Sequence, residues 1–272
     1  MNASMNQILR MAGIIVGVLL LTGTFGLVFQ RPWAVHLWPW PDSRLSYLFL
    51  GAILAAVAAA VVWISWLGDW GALPAGALNV LVIMGTWAAY SLQRALSDHR
   101  SSLLYYGLVG VVLALASAAV FLWSRRLPLQ DTRSTPRFVL VSFGLFTAVL
   151  ILAGGALVFR APIFPWPLSA DSSVLFGGIF LGDACYFLYG LLVPRWHNAY
   201  GQLLSFLAYD VILIGPFLVL FSSVHPERRL SLSLYVAVLL YSGLLAIYYL
   251  LVNTKTRGWQ AKSQSDAASF TG

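Results

Sequence analysis

Two aspartates interrupt otherwise apolar sequence: Asp183 in FLGDACYFLYG and Asp210 in FLAYDVILIGP. Each lies about nine or ten residues into a run long enough to cross a bilayer as helix. A carboxylate at that depth is costly to bury, so it faces a bundle interior, a water-filled cavity or a partner. No Lys or Arg lies in the middle of a span, which leaves no cation to pair with either aspartate. Tyrosine hydroxyls are the expected companions: Tyr186, Tyr189 and Tyr209 close in sequence, and Tyr241 and Tyr248 on the last span. Placed on one hairpin, the two carboxylates share a depth and oppose each other's ionisation. That suits a proton-coupled carrier, or a cation site when both are charged; each Asp can equally serve as a neutral, structural partner of tyrosines. Asp183, Asp210, Tyr186 and Tyr209 are therefore the candidate ligand or proton site. Pro216, six residues beyond Asp210, frees a carbonyl near Ile212 and permits a kink.

Other chemistries find less support. The four histidines, His36, His99, His197 and His225, fall outside the apolar runs, which leaves a membrane haem without intramembrane ligands. At no motif spacing, they are not expected to hold a metal. The single cysteine, Cys185, excludes an internal disulfide and any CxxC pair. GxSxG, HExxH, Walker and dinucleotide fingerprints are absent, and no cofactor is expected.

Around these residues the chain is 60% hydrophobic and only 9% charged, with mean hydropathy +0.83. Soluble domains carry about 25% charged residues, so a water-soluble fold would lack the polar residues to cover its surface. Eight apolar segments are expected, near 9–29, 45–67, 74–92, 103–123, 138–159, 174–193, 201–221 and 232–252. The fold class is all-α, a polytopic transmembrane bundle, and short loops imply antiparallel neighbours. The divisions are 1–125 for the first four spans, 126–137 for a basic linker, 138–252 for the second four, and 253–272 for a polar tail.

Net charge is +7. Arg and Lys sit in loops and tails, where they orient a chain against anionic lipid rather than bind nucleic acid. One side holds nine: Arg10, Arg125, Arg126, Arg133, Arg137, Arg195, Lys255, Arg257 and Lys262. The other holds seven: Arg31, Arg44, Arg94, Arg100, Arg160, Arg228 and Arg229. Four of the nine crowd one loop, which places both termini, the linker and the tail in the cytoplasm. The expected partners are membrane lipids, with protein partners or further copies of the chain also open.

The halves also echo one another. At an offset of 130, Leu27, Val28, Phe29 and Pro32 match Leu157, Val158, Phe159 and Pro162. At an offset of 126, Pro39, Trp40, Pro41, Ser43, Ser46, Gly51, Ile53, Ala58 and Trp70 match Pro165, Trp166, Pro167, Ser169, Ser172, Gly177, Ile179, Ala184 and Trp196. A unit of four spans returns the chain to its starting side. The two repeats should thus insert the same way up, around an axis along the membrane normal. Each Pro-Trp-Pro is read as a stiff outer-interface entry, its indole at headgroup level, followed by a cap from Ser43 or Asp42 and from Ser169 or Asp171.

This doubled Trp/Pro-rich entry, read into a helix with Gly177, Gly178 and Gly182, resembles a group of uncharacterised bacterial polytopic integral membrane proteins. The likeness covers chiefly 29–51 and 159–182, and Ser169, Ala170 and Asp171 depart from the group's Thr/Ser-and-basic cap. It implies a multi-pass protein of the bacterial inner membrane and no particular activity. The leading expectation is a small-solute or proton-coupled carrier. The alternatives are a non-catalytic membrane subunit of a larger complex and an enzyme acting on a lipid-soluble substrate, with the carboxylates as acid and base.

Overall fold

With no water to satisfy backbone N–H and C=O groups, an apolar run in a bilayer closes its hydrogen bonds internally as helix. The computed structural model describes residues 3–257, and in it each expected run is helical. The main helices are α1 (Ala3–Val28), the short α2 (Pro32–Val35), α3 (Arg44–Leu67), α4 (Leu73–Ser97), α5 (Ser101–Ser124), α6 (Arg137–Val158), α7 (Ala170–Leu192), α8 (Trp196–Leu220) and α9 (Arg229–Ile247). The last continues into a π-helical stretch over Tyr248–Val252. Among the described residues, eight spans are long and apolar enough to cross a membrane. The chain is an all-α integral membrane protein. The tail beyond residue 257, with Lys262, lies outside the described residues.

The face near Ala3 also carries the α3–α4 turn, residues 125–136 and the α7–α8 turn; the opposite, far face carries the Pro-Trp-Pro loops. Main contacts pair α1 with α3, α6 with α7, α4 with α5 and α8 with α9. Two long interfaces then cross the chain, α4 against α7 and α3 against α8. The short loops were expected to make α7 and α8 a hairpin of close neighbours, and here the structure differs: those two helices touch only briefly, as do α3 and α4. A short loop holds two helix ends together, but side-chain volume decides what packs along the rest. On α7, Gly178 and Gly182 face α4, where an added Cβ would lie 2.5 Å from Thr86 Cγ2 and 2.6 Å from Ile83 Cγ1. Small residues four apart admit a neighbouring helix at close range.

Both span entries are capped by serine. Ser43 accepts from the Ser46 N–H and Ser169 from the Ser172 N–H, at 3.4 and 3.1 Å. The indoles beside them are buried in the protein. Trp40 and Trp166 are 4% and 3% exposed, because the loops fold inward over the bundle. Trp166 donates through Nε1 to Ser46 Oγ at 2.9 Å, and Ser46 in turn donates to Asp42 Oδ1 at 2.8 Å. Trp40 packs edge-on against Trp38 and Trp87. Phe49, Phe164, Phe176, Phe180 and Phe217 extend this aromatic block below the far face. The near face is closed differently, by polar backbone. Residues 133–135 bond to the α7–α8 turn through Trp196 N to Arg133 O and Thr135 N to Pro194 O, at 2.7 and 3.1 Å.

The α4–α7 contact yields a prediction. Gly178→Leu should lower stability by about 1–3 kcal/mol through overpacking. Gly85→Leu, at a glycine with nothing within 4 Å, should leave the thermal midpoint in detergent unchanged. Equal midpoints for both variants would contradict the packing.

Candidate functional site

Asp183 sits on α7 opposite Asn79, a residue in the second turn of α4. Asn79 Nδ2 donates to Asp183 Oδ1 at 2.8 Å. Gly182 makes this meeting possible, since a Cβ there would fall 2.8 Å from Asn79 Oδ1. Asn79 is buried, Asp183 half-buried. A primary amide offers both a donor and an acceptor. Asn79 Oδ1 has no other partner, so the same amide can serve Asp183 as carboxylate or as carboxylic acid.

Asp210, on α8, is sealed more tightly at 5% exposure. Ser242 of α9 donates to its Oδ2 at 2.8 Å, and Gly243 clears the approach, with a built Cβ 3.3 Å from that oxygen. The Ser242 hydroxyl also lies 2.8 Å from Val238 O. It carries one hydrogen, so it donates either to the carboxylate or to that carbonyl while accepting from a carboxylic acid. Among the described residues, neither aspartate forms a salt bridge to a basic side chain.

Three of the five expected tyrosine partners bond other hydroxyls instead. Tyr209 bonds Tyr235 of α9 hydroxyl to hydroxyl, Tyr186 lies 3.4 Å from Ser205 Oγ, and Tyr241 lies 2.7 Å from Ser142 Oγ. Helical geometry explains the miss: neighbours such as Tyr209 and Asp210 diverge by about 100° around the axis. The two carboxylates do not bond each other, and their partners stand on different helices. The Tyr209–Tyr235 pair lies within electrostatic reach of both. Asp183 and Asp210 thus have separate hydrogen-bond partners, while Tyr209 and Tyr186 bond Tyr235 and Ser205 instead. The structure adds Asn79, Tyr235 and Ser242. Their polar types inside apolar runs were the only signal pointing to them. Among the described residues, no group of three His, Cys, Asp or Glu is placed to hold a metal.

The Asn79–Asp183 bond predicts a coupled pair. Asn79→Leu alone should cost about 1–3 kcal/mol by stripping the carboxyl of its donor, while Asn79→Leu with Asp183→Leu should recover most of that loss. Thermal midpoints of the two singles and the double provide the check, and an additive double would refute the coupling. Comparison with known proteins returns no matching family model, no similar characterised protein and no similar solved structure, so the reading of this site rests on its geometry.

Proposed function

We propose that this protein is a proton-coupled carrier of a small solute, with Asp183 as its working carboxylate. One observation carries the reading. Asp183 lies at mid-span, half-buried, and its hydrogen-bond partner is a neutral amide that suits either protonation state. A carboxylate kept only for structure would be better served by a cation or a full set of donors. Asp210, sealed behind Ser242, keeps a second carboxyl group inside the bundle. That sealing and the rigid aromatic block beneath the far face are what a non-catalytic membrane subunit would also want, and this is the second reading.

The carrier reading draws on a doubled architecture. Exchanging the first four spans with the second four turns α1–α3 into α6–α7, α4–α5 into α8–α9, and α4–α7 into α8–α3, all of them main interfaces. The matched residues also meet matched neighbours. A Cβ on Gly51 would fall 2.9 Å from Val28 Cγ2, and one on Gly177 would fall 2.8 Å from Val158 Cγ2. Two parallel repeats about an axis along the membrane normal account for both, and carriers built this way bind solute between the halves near the midplane. We place the protein in the bacterial inner membrane with both termini cytoplasmic, on the weight of Arg125, Arg126, Arg133 and Arg137.

The test uses proteoliposomes with a pH-sensitive dye inside and a panel of amino acids, sugars and organic ions outside. At least one solute should drive an internal pH change, and Asp183→Asn should reduce its rate about 100-fold, the effect of losing a positioned proton acceptor. A silent panel, or a response that Asp183→Asn leaves intact, would overturn the carrier.

A further inference from the structure

At its near-face end, the packing of α1 on α3 changes character. Farther along, the two helices lie hard together: a Cβ on Gly13 would fall 2.0 Å from Ser65 Oγ, and one on Gly17 2.3 Å from Val62 Cγ2. Towards Ala3 the glycines give way to longer side chains, and the contact opens into a groove of about 440 Å3. Asn6, Gln7, Arg10, Met11 and Ile14 of α1 line it, with Trp66 of α3. It opens outward, since Gln7 is exposed and Met11 and Trp66 are 57% and 66% exposed.

Arg10 is the cation of this groove. Its Nε donates to Ser65 O at 3.1 Å and its Nη2 to Trp66 O, which covers the last carbonyls of α3. A helix C-terminus carries about half a negative charge, so it leaves part of the full guanidinium charge uncompensated. Two of the five guanidinium N–H groups are used in this way, and the others remain for a further acceptor. No carboxylate of the protein takes them. Among the described residues, no ion pair includes Arg10. Asp69, in the turn after α3, is buried against His197, with Oδ2 2.6 Å from Nδ1. Asn6 is occupied by Trp70, whose Nε1 donates to its Oδ1 at 2.8 Å.

Packing alone does not call for these residues. At the offsets of 130 and 126 noted above, Leu140 and Leu192 stand where α1 and α3 have Arg10 and Trp66. There α6 packs along α7 over a comparable interface with neither cation nor indole. The first half thus keeps a cation and a largely exposed indole, apolar in body with one N–H donor, at the end of a span. That pairing suits the boundary between acyl chains and headgroups.

We propose that this groove binds one anionic phospholipid. Its phosphodiester accepts from the remaining Arg10 N–H groups beside Gln7 and the Trp66 indole, and an acyl chain runs over Met11 and Ile14 towards the midplane. Basic pockets between transmembrane helices recognise anionic headgroups in this manner. A phosphodiester brings a single negative charge and two unesterified oxygens, which match one edge of a guanidinium. A zwitterionic headgroup brings a cation of its own within reach of Arg10 and is the poorer occupant. The site holds whether or not the protein is a carrier.

Native mass spectrometry of the full chain, released from micelles containing phosphatidylglycerol or phosphatidylcholine at matched concentration, tests this. Phosphatidylglycerol should stay as one tight adduct, and phosphatidylcholine should bind about tenfold more weakly. Arg10→Gln removes the charge; Gln7→Trp fills the groove and keeps Arg10 on α3. Each should weaken phosphatidylglycerol about tenfold, while Arg100→Gln on the far face should leave it unchanged. Glycerol phosphate, which lacks acyl chains, should not compete. Equal retention of the two lipids, or a tight adduct surviving in Gln7→Trp, overturns the site even if Arg10→Gln fails to fold. Displacement by glycerol phosphate makes it a site for free phosphate and overturns the lipid.

Discussion

The architecture turns on where a carboxyl group can be held away from water. Hydrocarbon offers no hydrogen bonds, so each mid-span aspartate dictates at least one neighbour that supplies a donor. Asp183 draws in α4 through Asn79 and Asp210 draws in α9 through Ser242. The glycines of α7 and α9 follow from that demand, because an amide or hydroxyl on a neighbouring helix reaches a carboxyl only where the backbones come close. Small residues and acidic ones are thus two halves of one solution.

Much of the fold could be read from the chain before any coordinates. Eight runs of apolar residues, punctuated by Pro, Gly and Arg, can do little else in a bilayer, and Ser43 and Ser169 advertise their caps by position alone. The site was half legible. Asp183 and Asp210 stand out because nothing polar surrounds them in sequence. Their partners do not, because a bond from Asn79 to Asp183 spans 104 positions and leaves no local trace. The same holds for Asp69 and His197, which look like ordinary loop residues until two turns converge. The burial of Trp40 and Trp166 was not legible for another reason: an indole suits a polar boundary and a protein interior equally well, and only the loop's path decides what covers it.

The two faces are closed by different physics. Below the far face, stacked and edge-on rings from several helices form a dense apolar plug, which Trp166 pins to the start of α3 through Ser46. At the near face the seal is made of backbone bonds and ion pairs in residues 125–136, laid across the α3–α4 and α7–α8 turns. Apolar packing of that density yields as a unit or not at all. Hydrogen-bonded loops at an aqueous boundary open locally and at smaller cost. Local opening is thus easiest at the near face.

The crossed packing also bears on biogenesis. α3 and α4 each take their long partner from the other half, α8 and α7. A ribosome delivers the first four spans to the bilayer well before those partners exist. Until the later spans arrive, Asn79 on α4 faces lipid or a stand-in, and the segment 125–136 has no turn to lie across. The N-terminal half alone therefore lacks both its long interfaces and the carboxyl group that Asn79 serves.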